Sequence, residues 1–168
     1  MTLYGIQDAP PAVLLSYALR LELGLEQMPE LARSEGGKPF FPHRPDVQFN
    51  WSHSGRYVLC ALSRRPVGVD IEVVKPRRET LPAYALTETE LAAYKARGGG
   101  WPIFYDLWTR KEAWCKYTGE GLRALWGQTP PDTGLHYGAY AGDGWRASVC
   151  GEEPAPGEIL WVRREELE

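Results

Sequence analysis

Little in this chain would send it to a membrane or a polyanion. No uninterrupted apolar run approaches the roughly 18 residues needed to cross a bilayer. The opening MTLYGIQDAPP has neither the basic start nor the apolar stretch of a secretory leader. Positive charge is not in excess, since 19 Lys and Arg stand against 22 Asp and Glu for a formal net charge of −3. Nucleic acid and anionic lipid are therefore poor partners. Cysteine is scarce: Cys60, Cys115 and Cys150 are far apart, odd in number and set in apolar surroundings, without the CxxC or Cys/His spacing of a zinc site. They read as reduced core residues of a soluble, cytoplasmic protein.

What is present is ordinary globular composition, 43% hydrophobic and 24% charged over 168 residues, enough for one domain or two small modules sharing a core. In PPAVLLSYALRLELG, Val13, Leu14, Tyr17, Leu21 and Leu25 fall at helical spacing, with prolines at the start and Gly24 as the stop. The punctuated SEGGKPFFPHRPD follows, then three strand candidates, VQFNW, RYVLCALS and VGVDIEVV. Their connections, SHSG and RRP, are short enough to favour an antiparallel meander. TETELAAYKA opens with Thr87 and Glu90 at capping-box spacing. PIFYDLWTRKEAWCKYTG is the strongest helix pattern, with Pro102 near its start and Gly119 past its end. LHYGAYAG, GWRASVC and ILWVRRE read as three further strands. The class expected is α+β: two similar halves, each a long helix on a three-stranded antiparallel sheet, within one domain over 1–168 that divides near 1–75 and 76–168.

The strand VGVDIEVV sets two carboxylates on one face, because Gly68, Asp70 and Glu72 point one way and Val67, Val69, Ile71 and Val73 the other. At about 7 Å two such charges repel by about 2 kcal/mol at an effective dielectric near 20. Water on an exposed face absorbs that, and so does a hard cation between them. On the long helix, Phe104, Leu107, Trp108 and Cys115 form one apolar arc, with Glu112 and Lys116 four residues apart beside it. On this helix alone a surface Glu–Lys pair is the favoured reading of these two. Lys111 projects near the middle of the arc and needs a carboxylate or carbonyl partner. NWSHSG joins two apolar strands and offers hydroxyl and imidazole donors suited to phosphate oxygens, although a plain polar turn has the same composition. GGKP at Gly36–Pro39 lets backbone approach a ligand closely and carries Lys38, but lacks the pattern of a phosphate loop.

In order, GGKPFFP, FNWSHSG, GVDIE and WTRKEAWCKYTGEGL resemble the 4′-phosphopantetheinyl transferase superfamily, in its larger monomeric, pseudo-twofold branch that activates non-ribosomal peptide synthetases. The resemblance runs from about Gly36 to about Leu122, roughly half the chain. It implies that Asp70, Glu72 and Glu112 hold Mg²⁺, an all-oxygen set that suits this ion. It implies that Ser52, His53 and Lys116 contact the phosphates of coenzyme A and that Lys38 lies near its adenylate end. Glu112, Lys116 and His53 would then be the catalytic residues, and Lys111 a structural one. The reaction implied is transfer of phosphopantetheine to a serine of an apo acyl or peptidyl carrier protein, releasing 3′,5′-ADP. The basic run at Lys75, Arg77 and Arg78 is a candidate surface for steering an acidic carrier.

One departure stands out. Larger relatives bind the 3′-phosphate of coenzyme A through a basic N-terminal segment and a threonine, whereas this sequence runs almost directly into AVLLSYALR, with Ala12 near the threonine's place. Two lost charged hydrogen bonds weaken binding by roughly a hundredfold to ten-thousandfold, a loss that falls on KM if those contacts are uniform. The alternative expectation is a weak or inactive relative that binds carrier protein or nucleotide.

Overall fold

Proline and glycine mark the helix boundaries where the sequence predicts them. The computed structural model describes residues 1–123 and 126–167. In chain order the elements are β1 (Thr2–Gln7), α1 (Pro11–Leu23), β2 (Ala32–Arg33), β3 (Pro39–Phe40), β4 (Gln48–Ser54), β5 (Tyr57–Ser63), β6 (Val67–Val73), α2 (Leu81–Ala85), α3 (Glu88–Ala96), α4 (Trp101–Thr118), β7 (His136–Gly142), β8 (Trp145–Gly151) and β9 (Leu160–Trp161). Helix α1 ends on Gly24 at φ 64° and α4 on Gly119 at φ 75°, the left-handed turn that glycine adopts without a Cβ clash. Thr87 and Glu90 close the expected capping box at the start of α3. Among the described residues no helix is long and apolar enough to cross a membrane.

The class is α+β, as the order of elements suggests, but the strands distribute differently from a simple meander. One sheet has the order β4-β5-β1-β9 and another β6-β8-β7, with β2 and β3 a small separate pair. TLYGIQ, too short to stand out as a periodic pattern, forms β1, paired antiparallel with β5 from Thr2↔Leu62 to Gln7↔Tyr57. Strand β6 leaves its sequence neighbour β5 and pairs antiparallel with β8, Asp70 opposite Ser148 and Glu72 opposite Arg146. Of ILWVRRE only Leu160–Trp161 is strand, and it lies parallel to β1 in the first sheet.

Burial explains why β6 crosses over. Val67, Val69 and Ile71 are fully buried in a cluster shared by Leu3, Leu59 and Ala61 of the first sheet and Ala147 and Val149 of β8. A strand apolar on one face and close-packed on the other is better covered when stacked than when added to an edge. The first sheet's other face packs α1 through Leu14, Leu15, Ala18 and Leu19. The second sheet's outer face packs α4 through Ala113, Trp114, Cys115 and Cys150. Gly68 makes this last approach possible: a Cβ there would lie 2.0 Å from the Ala113 carbonyl oxygen and 2.3 Å from the Tyr117 nitrogen. The strand bearing Asp70 and Glu72 is thus seated directly on the helix bearing Glu112 and Lys116.

Candidate active site at the junction of two sheets and a helix

Strands β4 and β6 are the facing edges of the two sheets, and no backbone ladder joins them. Alternate side chains of β4 bridge the gap instead. Asn50 Oδ1 accepts from Val69 N at 2.9 Å, Ser52 Oγ from Ile71 N at 3.3 Å and Ser54 Oγ from Val73 N at 3.1 Å. The buried β6 N–H groups that β8 does not reach are paired in this way. The two hydroxyls also donate: Ser52 to Asp70 Oδ1 at 2.9 Å and Ser54 to Glu72 Oε2 at 2.7 Å.

Lys116 reaches across from α4, giving Nζ to Asp70 Oδ1 at 2.7 Å and to Ser52 Oγ at 2.9 Å. Its ion pair is with Asp70 rather than with Glu112 on its own helix. The Ser52 hydroxyl is thereby fully used, with two bonds accepted and one donated. Asp70 Oδ2 is buried with no partner in the protein. Burial raises the Asp70 carboxyl above its ordinary range against the pull of Lys116 and Ser52. Burial, then Asp70, push Glu112 up to about 7, with Glu72 adding to the rise and Lys116 opposing it.

Three mutually repelling carboxylates, one with an orphaned oxygen, form a donor set that suits a hard cation such as Mg²⁺. Among the described residues no three acidic, His or Cys side chains converge closely enough to enclose a metal ion as they stand, and Lys116 holds one oxygen of Asp70. Occupation would require this lysine to yield.

Two cavities open at the junction. One of about 220 Å³ is lined by Lys38, Asn50, Trp51, Glu112 and Lys116. Another, of about 400 Å³, is lined by Glu72, Arg77, Arg78, Phe104, Tyr105 and Trp108. A larger space of about 730 Å³, between Thr2, Glu22, Asp46, Arg64 and Glu153, contains none of the clustered residues.

The structure brings Ser52, Asp70, Glu72, Glu112 and Lys116 together, with Lys38 at the margin. Lys38 Nζ donates to the Val67 and Tyr117 carbonyls at 2.9 and 3.0 Å, tying the start of β6 to the end of α4, and burial lowers its pKa to about 8. The neighbouring Gly36 approaches the chain's own backbone, since a Cβ there would sit 1.8 Å from the Gly119 carbonyl oxygen. His53 stands apart. The Ser-His-Ser run lies within β4, the turn being Gly55–Arg56, so His53 faces away from its neighbour Ser52. It is exposed and lines a separate cavity of about 290 Å³ with Asp8, Pro10, Pro11 and Arg56. Lys111 is fully buried and donates to Glu90 Oε2 at 2.7 Å and the Ala85 carbonyl at 3.4 Å. Asn50 and Ser54 lie in the NWSHSG stretch but receive no individual role from the sequence; their signal is the two-residue period they share with Ser52.

Residues 66–133 match the sequence family described as the 4′-phosphopantetheinyl transferase superfamily. The 4′-phosphopantetheinyl transferase Sfp of Bacillus subtilis is 41% identical over 90 residues, covering 52% of this chain and 40% of that protein. Psf-1 of Bacillus pumilus, also a 4′-phosphopantetheinyl transferase, is 35% identical over 103 residues, 60% of this chain and 43% of the relative. The 4′-phosphopantetheinyl transferase AcpT of Salmonella typhimurium is 35% identical over 109 residues, 59% of this chain and 54% of the relative. The matches thus span between two fifths and just over half the length of these relatives.

Proposed function

We propose that this chain, whose residues 66–133 match the 4′-phosphopantetheinyl transferase superfamily and whose relatives include the transferase Sfp, moves 4′-phosphopantetheine from coenzyme A to a serine of a small carrier protein, with 3′,5′-ADP as the second product. The observation that carries this reading is a charged centre between two cavities, with Glu112 and Lys116 lining one and Glu72, Arg77 and Arg78 the other. A nucleotide donor and a protein acceptor need separate entrances to one reacting centre. Coenzyme A is assigned to the side of Lys38, Glu112 and Lys116. The carrier is assigned to the side of Arg77 and Arg78, whose charge suits an acidic partner. The protein would work as a cytoplasmic monomer.

Asp70, Glu72 and Glu112 would hold Mg²⁺, whose charge neutralises the pyrophosphate when bound. Glu112 accepts the proton of the attacking serine hydroxyl; His53, on the opposite face of β4, is not assigned as the base. The serine oxygen bonds to the β-phosphorus as the bond from that phosphorus to the bridging oxygen of 3′,5′-ADP breaks. Lys116, its side chain 30% exposed, can turn from Asp70 to meet charge on the departing phosphate. The cavity lining keeps these groups half-buried, where hydrogen bonds to charge are stronger than in water.

The test is intact-protein mass spectrometry of an apo carrier protein incubated with this protein, coenzyme A and Mg²⁺. The expected result is a phosphopantetheine mass gain that EDTA prevents and Asp70→Asn abolishes. No gain across several carriers, in a folded sample that binds coenzyme A, would replace the transferase reading with that of a binding module.

A further inference from the structure

The resemblance set out above gives Ser54 no role, yet this residue occupies the same station beside Glu72 that Ser52 occupies beside Asp70. Both hydroxyls accept from a β6 N–H and donate to the carboxylate one residue earlier on β6. A serine oxygen has a single proton. With a backbone N–H occupying an oxygen lone pair, that proton is directed at the carboxylate. The contact at Ser54 is the shorter of the two, at 2.7 Å, as expected for a hydroxyl donating to a charged acceptor.

Position 50 supplies an internal control. Asn50 Oδ1 accepts from Val69 N in the same series, but the preceding β6 residue is Gly68, where contact with α4 leaves no room for a side chain. No carboxylate is there to receive a proton, and the residue is an amide whose oxygen only accepts. Where the β6 residue is acidic, at Asp70 and Glu72, the partner on β4 is a hydroxyl. Pairing the backbone N–H groups alone would not require that difference.

We infer that Ser54 is a positioning residue, which holds one oxygen of Glu72 so that the other faces the centre shared with Asp70 and Glu112, and thereby sets cation affinity. The inference rests on the transferase reading for the role of the carboxylates. Groups that orient metal-binding side chains typically matter by about 10–100-fold in affinity when removed. Ser54 acts through Glu72 and needs no contact with coenzyme A.

The experiment uses Mn²⁺ as a probe, with its binding to the intact protein followed by electron paramagnetic resonance in the presence of coenzyme A and without carrier. Ser54→Ala is expected to weaken Mn²⁺ binding about tenfold or more, Ser54→Thr to restore it to within about threefold, and Ser54→Ala added to Glu72→Gln to have no further effect. Coenzyme A affinity without metal should be unchanged. If Ser54→Ala does not fold, the near-isosteric Ser54→Cys, a much weaker donor, is held to the same outcome. Wild-type uptake of Mn²⁺ with equal uptake by the folded variant would overturn this inference alone. Failure of the wild type to take up Mn²⁺ would overturn it together with the cation assignment, while the carrier mass gain would still judge the transferase reading separately.

Discussion

Helix α4 carries two lysines five residues apart, each 2.7 Å from a carboxylate oxygen, and they serve opposite ends. Lys111 and Glu90 are sealed, with side chains 0% and 6% exposed, and the pair is completed by the Ala85 carbonyl on one side and the Thr87 N–H on the other. Lys116 and Asp70 are left incomplete: the lysine is partly in solvent, Asp70 retains an orphaned oxygen, and two further carboxylates press on it. A buried pair with every bond made holds elements together, here α4 to the start of α3. A pair left with unspent capacity beside a cavity can exchange partners, which catalysis requires.

Breaking the sealed pair should have the largest effect. Lys111→Met strands the Glu90 carboxylate in the core and is expected to cost about 3–5 kcal/mol, on the order of 10 °C in melting temperature for a chain of this length. Lys111→Met with Glu90→Leu should recover most of it, short of the capping contribution of about 1 kcal/mol. Thermal melts of the two variants decide this, and equal losses in both would deny that the stranded charge is responsible.

At the open pair the expected loss moves from stability to rate. Lys116→Met should lower carrier modification by about 10²–10³-fold, the scale for removing one donor from a charged transition state. Its melting temperature should fall far less than that of Lys111→Met, because the freed Asp70 can take up a proton. A variant with unimpaired turnover would leave Lys116 as a structural residue like Lys111.

The smallest effect expected separates the two by pH. Glu112 is raised from an ordinary 4.5 to about 7, so between those values the folded protein keeps a proton that the unfolded chain releases. The associated stability is full below about pH 4.5 and is lost as pH rises through about 7, amounting to at most about 3 kcal/mol. Asp70 is raised too and adds in the same direction. In EDTA, the melting-temperature difference between wild type and Glu112→Gln should shift against the wild type as pH rises from about 5 to 8. A difference that stays constant over that interval would count against the raised carboxyl.

Much of this contrast could be read from the sequence. The helical period placed Lys111 in an apolar arc and demanded a partner, and the strand period put Asp70 and Glu72 on one face. What escaped depended on contacts between distant segments. The short RRP connection favoured pairing β6 with β5, but burial of both β6 faces sent it to β8. Ser52 and His53 looked like one donor cluster in a turn. Once the turn is Gly55–Arg56, the strand period separates them. Asn50 and Ser54 gain their roles only because β6 arrives alongside with unpaired N–H groups.

That arrival has a consequence for how the protein keeps to itself. A strand at the rim of a sheet ordinarily offers its free N–H groups to any extended chain that passes, the route by which sheets join edge to edge and aggregate. Along β6 the donors of Val69, Ile71 and Val73 are already taken by side chains of β4. A foreign strand would have to displace an asparagine and two serines, so the seam that aligns the carboxylates also closes this rim to strangers.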